Sequence, residues 1–424
     1  MREMTISRRE MLSAAFGAGV AFTAGQRGST LPLMAQETIE AFTIDVSDDD
    51  IALLQERLRA PRWPIDTPGE PWAYGADLDY LRELVTYWRD EYEWRLHETE
   101  LNSYNHYTTD VDGQMLHFVH EQGVDAGEAL PLLMTHGWPG TIWEMLPSVR
   151  RLSRPENFGS TRADAFNVVV PSIPGFGFSG PPEVGTDIAR TGDLWIGLMD
   201  KLGYKRFGAY GSDWGAGVTR YLGARYPDRV VGIHTPGAPP RLGREPRTDP
   251  ERDYVRRADL WSIDETGYQR IQGTKPQTLA FGLTDSPIGL AAWITEKLRS
   301  WSDCDGDVET RFSKDQILTL ISIYWFTRTI GTSVRYYYEN GLGSSRGRNR
   351  PSPWSRDVQV PQGFAQFVGI PSRTGPPRSF IEEPRENVTH WSVFDTGGHF
   401  PAIEEPTLLV GDLRTFFSRL RSEA

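Results

Sequence analysis

The chain has 424 residues, a formal net charge of −12 and a single cysteine, Cys304. The acidic balance argues against nucleic acid or an anionic membrane surface as a partner, and one cysteine excludes an internal disulfide and a thiolate metal cluster. With 38% hydrophobic and 12% aromatic residues, the chain can bury a large core and line a pocket with rings. Its eight histidines are scattered without a His-Glu-x-x-His pattern, so no metal is expected.

Residues 1–36 read as an export signal. Ser7-Arg8-Arg9-Glu10-Met11-Leu12 is a twin-arginine pattern ahead of an apolar, small-residue stretch from Met11 to Ala24. That stretch is shorter than the roughly 20 apolar residues a membrane span takes. A periplasmic or exported location is expected, with weak membrane association if the segment is retained.

Residues 37–110 read as an N-terminal helical domain. Phe42 to Val46 alternates like a strand. Ser47 followed by Asp48, Asp49 and Asp50 predicts a helix start, and Ile51, Leu54 and Leu58 continue it at helical spacing. Arg62-Trp63-Pro64 ends that helix. A second one, from Asp77, places Leu81, Leu84, Val85 and Trp88 on one face.

From 111 to 424 the pattern is α/β. Strands are predicted at Gln114–His120, Pro131–Thr135, Phe166–Pro171, Tyr204–Tyr210, Val230–His234, Phe364–Phe367 and Trp391–Phe394, separated by helical segments. Such alternation implies a mostly parallel, doubly wound sheet. Between about 238 and 355 it stops, and helical stretches such as Ile288–Trp301 and Lys314–Thr327 predict a helical lid inserted after the sixth strand. Gly341–Pro353 reads as a basic surface turn.

The most specific local motif is Gly211-Ser212-Asp213-Trp214-Gly215. Its spacing is that of a nucleophile elbow, with aspartate where serine is usual, between a predicted strand and a predicted helix. A carboxylate there attacks carbon and forms an ester, which points to epoxides or alkyl halides rather than esters.

Three further motifs accompany it in order: His136-Gly137-Trp138-Pro139-Gly140, Pro174-Gly175-Phe176-Gly177-Phe178-Ser179-Gly180 and Gly397-Gly398-His399-Phe400. With them the chain resembles the microsomal-type epoxide hydrolases, including the juvenile-hormone group and bacterial relatives, from about residue 39 to 420. The resemblance implies an α/β-hydrolase fold with an N-terminal helical extension and a lid, a small lipophilic epoxide as substrate, and no cofactor. It implies Asp213 as nucleophile and His399 as the base that activates water on the ester. Tyr337 and Tyr268 would be the lid acids that protonate the departing oxygen, with Tyr336 and Tyr338 leaving the first of these open by one residue. The backbone N–H groups of Trp138 and Trp214 would form the oxyanion hole, and their rings would wall the pocket.

At the third triad member the chain departs from the pattern. An acid is expected soon after the strand at Phe364–Phe367, yet Val368 to Arg378 contains none. Glu382, Glu383, Asp395, Glu404 and Glu405 follow, none at the expected place. Either another acid reaches His399 from elsewhere in the fold, or ester hydrolysis is slow, because loss of the orienting acid costs on the order of 10⁴ in turnover. Two other readings stay open: a haloalkane dehalogenase, which shares the aspartate nucleophile but not the acidic tyrosines, and a hydrolytically impaired binding homologue.

Overall fold

Strands buried on both faces set the architecture. In the computed structural model, which describes residues 38–124, 127, 129–237, 245–345, 357–370, 375–381 and 387–421, Leu130–Thr135 (β4) and Phe166–Pro171 (β5) run through the centre of a sheet. Leu132, Leu133, Met134 and Val168 to Val170 are fully buried there, as expected where helices cover both sides of parallel strands. The expected export signal lies outside the described residues, as do most of the Gly341–Pro353 turn and the acids Glu382 and Glu383.

The remaining strands are Glu40–Ala41 (β1), His106–Val111 (β2), Gln114–Glu121 (β3), Phe207–Gly211 (β6), Val230–Pro236 (β7), Gln362–Phe367 (β8) and Val388–Phe394 (β9). The sheet order is β1-β2-β3-β5-β4-β6-β7-β8-β9. β1, β2 and β3 join antiparallel at one edge, and the strands from β5 to β9 pair in parallel. This is the expected α/β-hydrolase arrangement.

Two local expectations need correction. Phe42–Val46 does not form a strand, because its backbone is satisfied by side chains: the Ile44 and Val46 amides donate to Asn102 Oδ1 and Glu98 Oε1 at 2.9 and 2.8 Å. Strand β2 was not anticipated. Its sequence, His-Tyr-Thr-Thr-Asp-Val, is too polar to show a clear alternation. The lid follows β7, the strand at Val230 that the sequence places before it.

The helices before the sheet are Asp48–Arg59 (α1), Leu78–Asp90 (α2) and Trp94–Leu101 (α3). Ser47 and Asp77 cap the first two, accepting from the Asp50 and Tyr80 amides. Between the strands lie Ile142–Ser153 (α4), Ile188–Lys201 (α5) and Trp214–Arg225 (α6). The lid comprises Asp249–Asp264 (α7), Gly267–Thr274 (α8), Pro276–Asp285 (α9), Pro287–Trp301 (α10), Lys314–Thr327 (α11) and Ile330–Glu339 (α12). Helix α11 is apolar all round and buried, with Ile317, Leu318, Leu320, Ile321 and Ile323 at zero exposure. The N-terminal helices brace it: α1 and α2 pack on α10, and α2 and α3 pack on α11. Tyr87 Oη donates to Asp315 Oδ1 at 2.9 Å, and the Tyr92 and Thr319 hydroxyls meet at 3.2 Å.

The chain ends in Arg378–Ile381 (α13), Pro401–Glu404 (α14) and Pro406–Ser418 (α15). A polar clasp ties α15 to the sheet. His234 Nε2 on β7 and His390 Nε2 on β9 each lie 2.7 Å from a different oxygen of Asp412, and Ser392 donates to the same carboxylate. The two imidazoles and the carboxylate resemble a metal ligand set, with ligand atoms within 4.8 Å of one another. A cation there would displace the Nε2 proton of His234 to Nδ1, which is buried with no hydrogen-bond partner. The residues suit a proton-bridged clasp better than a metal.

Candidate active site

Asp213 sits between β6 and α6 with φ 49° and ψ −121°, a strained backbone for a residue with a side chain. The flanking glycines are required by close approach. A Cβ on Gly211 would stand 2.2 Å from the Gly215 carbonyl oxygen, and one on Gly215 would stand 1.9 Å from that of Thr135. The turn throws the Asp213 carboxylate upward from the sheet, as the spacing of the motif predicts.

The loop after β4 meets it. The Trp138 amide donates to Asp213 Oδ1 at 2.9 Å, and the Trp214 amide also faces the carboxylate. On the other side, His399 Nε2 lies 3.4 Å from Asp213 Oδ2. Desolvation alone would raise the Asp213 carboxyl. The hydrogen bond and charge of His399, together with the two amides, outweigh it and hold the group below its ordinary value, so it is ionised at neutral pH. Gly137 leaves room for this packing, since a Cβ there would lie 2.6 Å from Asp213 Oδ1.

His136 joins two of the motifs. Its Nε2 accepts from the Ile173 amide at 3.1 Å, next to Pro174-Gly175, while Nδ1 faces the Gly137 carbonyl. Burial lowers it to about 4, so it stays neutral and serves as a structural link.

His399 stands on the loop after β9, where Gly397 takes φ 86°. The His399 amide donates to the Trp301 carbonyl at 2.8 Å, and the Gly397 amide donates to Asp303 Oδ2 at 2.9 Å. The end of α10 thus clasps the histidine loop, and the His399 ring packs on Trp301 and Phe400.

The lid supplies the two expected tyrosines. Tyr268 on α8 stacks on Trp138 with ring centroids 5.5 Å apart, and Tyr337 on α12 stands edge-on to Trp214 at 4.8 Å and to Trp138 at 5.8 Å. The two tyrosine rings are themselves 5.8 Å apart. Tyr337 is pushed well above the ordinary phenol range by burial, then by Tyr268 and by the Asp213 charge. It therefore keeps its proton and can donate. Tyr336 points elsewhere, its hydroxyl 2.8 Å from Thr191 Oγ1 on α5. All six predicted site residues thus converge: Asp213, His399, Tyr337, Tyr268, Trp138 and Trp214.

Of the acids considered as partners of His399, Glu404 and Glu405 are engaged otherwise, and Glu382 and Glu383 lie outside the described residues. Glu404 accepts from the Asp303 and Phe400 amides at 2.9 and 2.8 Å. Glu405 takes Arg311 at 2.9 Å and Thr396 at 2.7 Å. Asp395 is exposed.

Sequence reasoning missed two acids. Asp303 lies on the lid, far in sequence from the histidine loop that it holds. Glu144 lies in the first turn of α4, where an acid ordinarily reads as an adjustment to the helix dipole. It is buried behind the elbow, and Ser212 Oγ donates to its Oε1 at 2.9 Å.

Comparison with known proteins gives the family. Residues 39–145 match the family profile described as epoxide hydrolase N terminus, and residues 131–288 match the alpha/beta hydrolase fold. Epoxide hydrolase 1 of Sus scrofa is 34% identical, with 93% of this chain and 92% of that protein covered. The crystal structure of juvenile hormone epoxide hydrolase from the silkworm Bombyx mori superposes with a TM-score of 0.77 at 30% identity, over 91% of this chain and 95% of that one. The structure of Aspergillus niger epoxide hydrolase gives 0.76 at 27% identity, over 90% and 97%. An aspartate elbow beneath a tyrosine-bearing lid, preceded by the matching N-terminal segment, makes this chain a member of the epoxide hydrolase family, on the α/β-hydrolase fold.

Proposed function

We propose that this chain converts small lipophilic epoxides to vicinal diols through a covalent ester on Asp213. The observation that carries the reading is the division of labour at one carboxylate: Oδ1 rests on the Trp138 amide while Oδ2 faces His399. Oδ2 attacks an epoxide carbon, the carbon–oxygen bond breaks, and its electron pair leaves on oxygen. Tyr337 or Tyr268 gives that oxygen a proton, which requires phenols that are protonated at neutral pH.

The second step uses the same geometry. Water adds to Cγ of the ester while His399 Nε2 takes its proton, and Oδ1 becomes the oxyanion. It already lies against the Trp138 and Trp214 amides, so little reorganisation is needed. As the intermediate collapses, the Cγ–Oδ2 bond breaks and the departing diol oxygen takes back the proton held by His399; the proton of the added hydroxyl returns to the tyrosinate, which restores the carboxylate and the phenol. The apolar rings of Trp138, Trp214 and Trp301 beside the site support a lipophilic substrate.

A single turnover in ¹⁸O-labelled water tests the ester. The label is expected in the Asp213 carboxylate and absent from the first equivalent of diol. Label in that first diol means direct attack by water and overturns the reading. Halide release from haloalkanes with no diol from epoxides would favour the dehalogenase, and an unmodified Asp213 under excess epoxide would favour a binding protein.

A further inference from the structure

Behind the oxyanion loop sits a second carboxyl to which the two-step chemistry assigns no part. Glu144 is 3% exposed and belongs to α4, directly after the loop that carries Trp138. Its Oε1 accepts from Ser212 Oγ, the residue immediately before the nucleophile. Its Oε2 lies against Gly140, so close that a Cβ there would stand 1.8 Å away. The Gly137 backbone amide also faces it. One side chain thus touches both walls of the oxyanion hole, the elbow through Ser212 and the 137–140 loop through Gly137 and Gly140.

The charge environment decides its form. The titratable groups that act on it or feel its charge are Asp213 on the elbow, Tyr210 on β6 and Tyr324 on α11. Asp213 is ionised. Both phenols are buried and pushed well above the ordinary range. His136, on the same loop, is held neutral by burial. Among these neighbours there is no cation. A buried carboxylate beside a second carboxylate and without a counter-ion is disfavoured, so the proton is retained.

We propose that Glu144, in its protonated form, is a positioning residue that locks the oxyanion loop to the nucleophile elbow and keeps a second negative charge away from the oxyanion formed when the ester is hydrolysed. The proposal rests on the Asp213 ester reading. Burial, and after it the nearby Asp213 charge, push Glu144 up to about 8 in the free enzyme; in the ester Asp213 is uncharged and burial alone holds Glu144 up, so its ionisation there falls at or below that value. Ionisation there opposes ester hydrolysis, in which negative charge develops on Oδ1. It opposes epoxide opening less, because that step disperses the charge of Asp213.

The test is pre-steady-state kinetics on the full chain with a fluorescent or chromogenic epoxide, separating ester formation from ester breakdown between pH 6 and pH 9.5. The wild type is expected to lose ester breakdown as Glu144 ionises, at or below about pH 8, while ester formation changes less. Glu144→Gln, neutral at every pH, is expected to match the wild type at pH 6.5 within about twofold and to lack the alkaline fall. Glu144→Ala leaves Ser212 unpaired and the loop unsupported, and ester breakdown is expected to slow by about 10²-fold, the cost of an ångström-scale misplacement. An alkaline fall in Glu144→Gln equal to that of the wild type overturns the proposal, as does ester breakdown at the wild-type rate in a folded Glu144→Ala. If Glu144→Ala does not fold, the pH profile of Glu144→Gln decides. Absence of any ester on Asp213 in the wild type refutes the proposed chemistry instead, a result distinct from a normal ester whose breakdown ignores Glu144.

Discussion

Replacing Gly137 with alanine tests whether the oxyanion loop must press on the nucleophile. An added Cβ would stand 2.2 Å from Asp213 Cβ, where ordinary contact begins at 3.4 Å, so the two must separate by about 1.2 Å. Neither partner yields easily. Asp213 is held by its elbow, and the loop is tied to the sheet through His136 and Ile173. The Trp138 amide, now 2.9 Å from Oδ1, would move beyond useful hydrogen-bond distance. Loss of one oxyanion donor costs about 10² to 10³ in turnover, and a displacement of this size costs about 10². We therefore expect Gly137→Ala to lower kcat by at least about 100-fold. The effect on KM should be smaller, because the donor matters most when charge develops on Oδ1. The assay is diol formation at saturating epoxide, with circular dichroism to verify the fold. A folded variant with wild-type kcat would refute the claim that this contact sets the reactive geometry.

Two further outcomes follow from the lid and the clasp. Tyr337→Phe and Tyr268→Phe should each slow ester formation, and the double variant should lose about 10²-fold or more, the usual worth of a general acid; an unchanged rate of ester formation in the double variant would remove the tyrosines from the chemistry. Asp412 is burdened by desolvation, yet the hydrogen bond and charge of His234 hold it down at about 2. A carboxyl so depressed stabilises the fold above its unfolded value of 3.8, and the contribution is lost as pH falls through about 2. The difference is worth at most about 2 kcal/mol, because burial lowers His234 and leaves it neutral at pH 7, where its hydrogen bond acts without its charge. Asp412→Asn should therefore lower the melting temperature at pH 7 and lose that deficit near pH 2, as calorimetry would show; a deficit that persists undiminished at low pH would contradict the ionised clasp.

Much of the site was legible because its parts are local backbone demands. Glycines at 211 and 215 are needed where the backbone of the elbow approaches itself and Thr135, and the chain announces the need within five residues. The same holds for Gly397, whose positive φ turns the chain into His399. Strand β2 was not legible, because its pairing rather than its polar sequence makes it a strand. The failed strand at Phe42–Val46 errs the other way: its alternation was real, but Asn102 and Glu98 reach its amides first.

The sequence by itself determined that Asp213 stands at a glycine-flanked elbow, that His399 follows a glycine turn, and the order of the motifs around them, since each is a short segment whose spacing dictates a turn. Only the tertiary structure decided which of three consecutive tyrosines faces the nucleophile. It did so through the rotation of α12, which sends the Tyr336 hydroxyl to Thr191 and the Tyr337 ring to Trp138 and Tyr268. It also decided what Glu144, Asp303 and Asp412 do. Each meets partners distant along the chain, Ser212, Gly397 and His234, and a carboxyl's protonation and purpose depend on those neighbours, which no local pattern records.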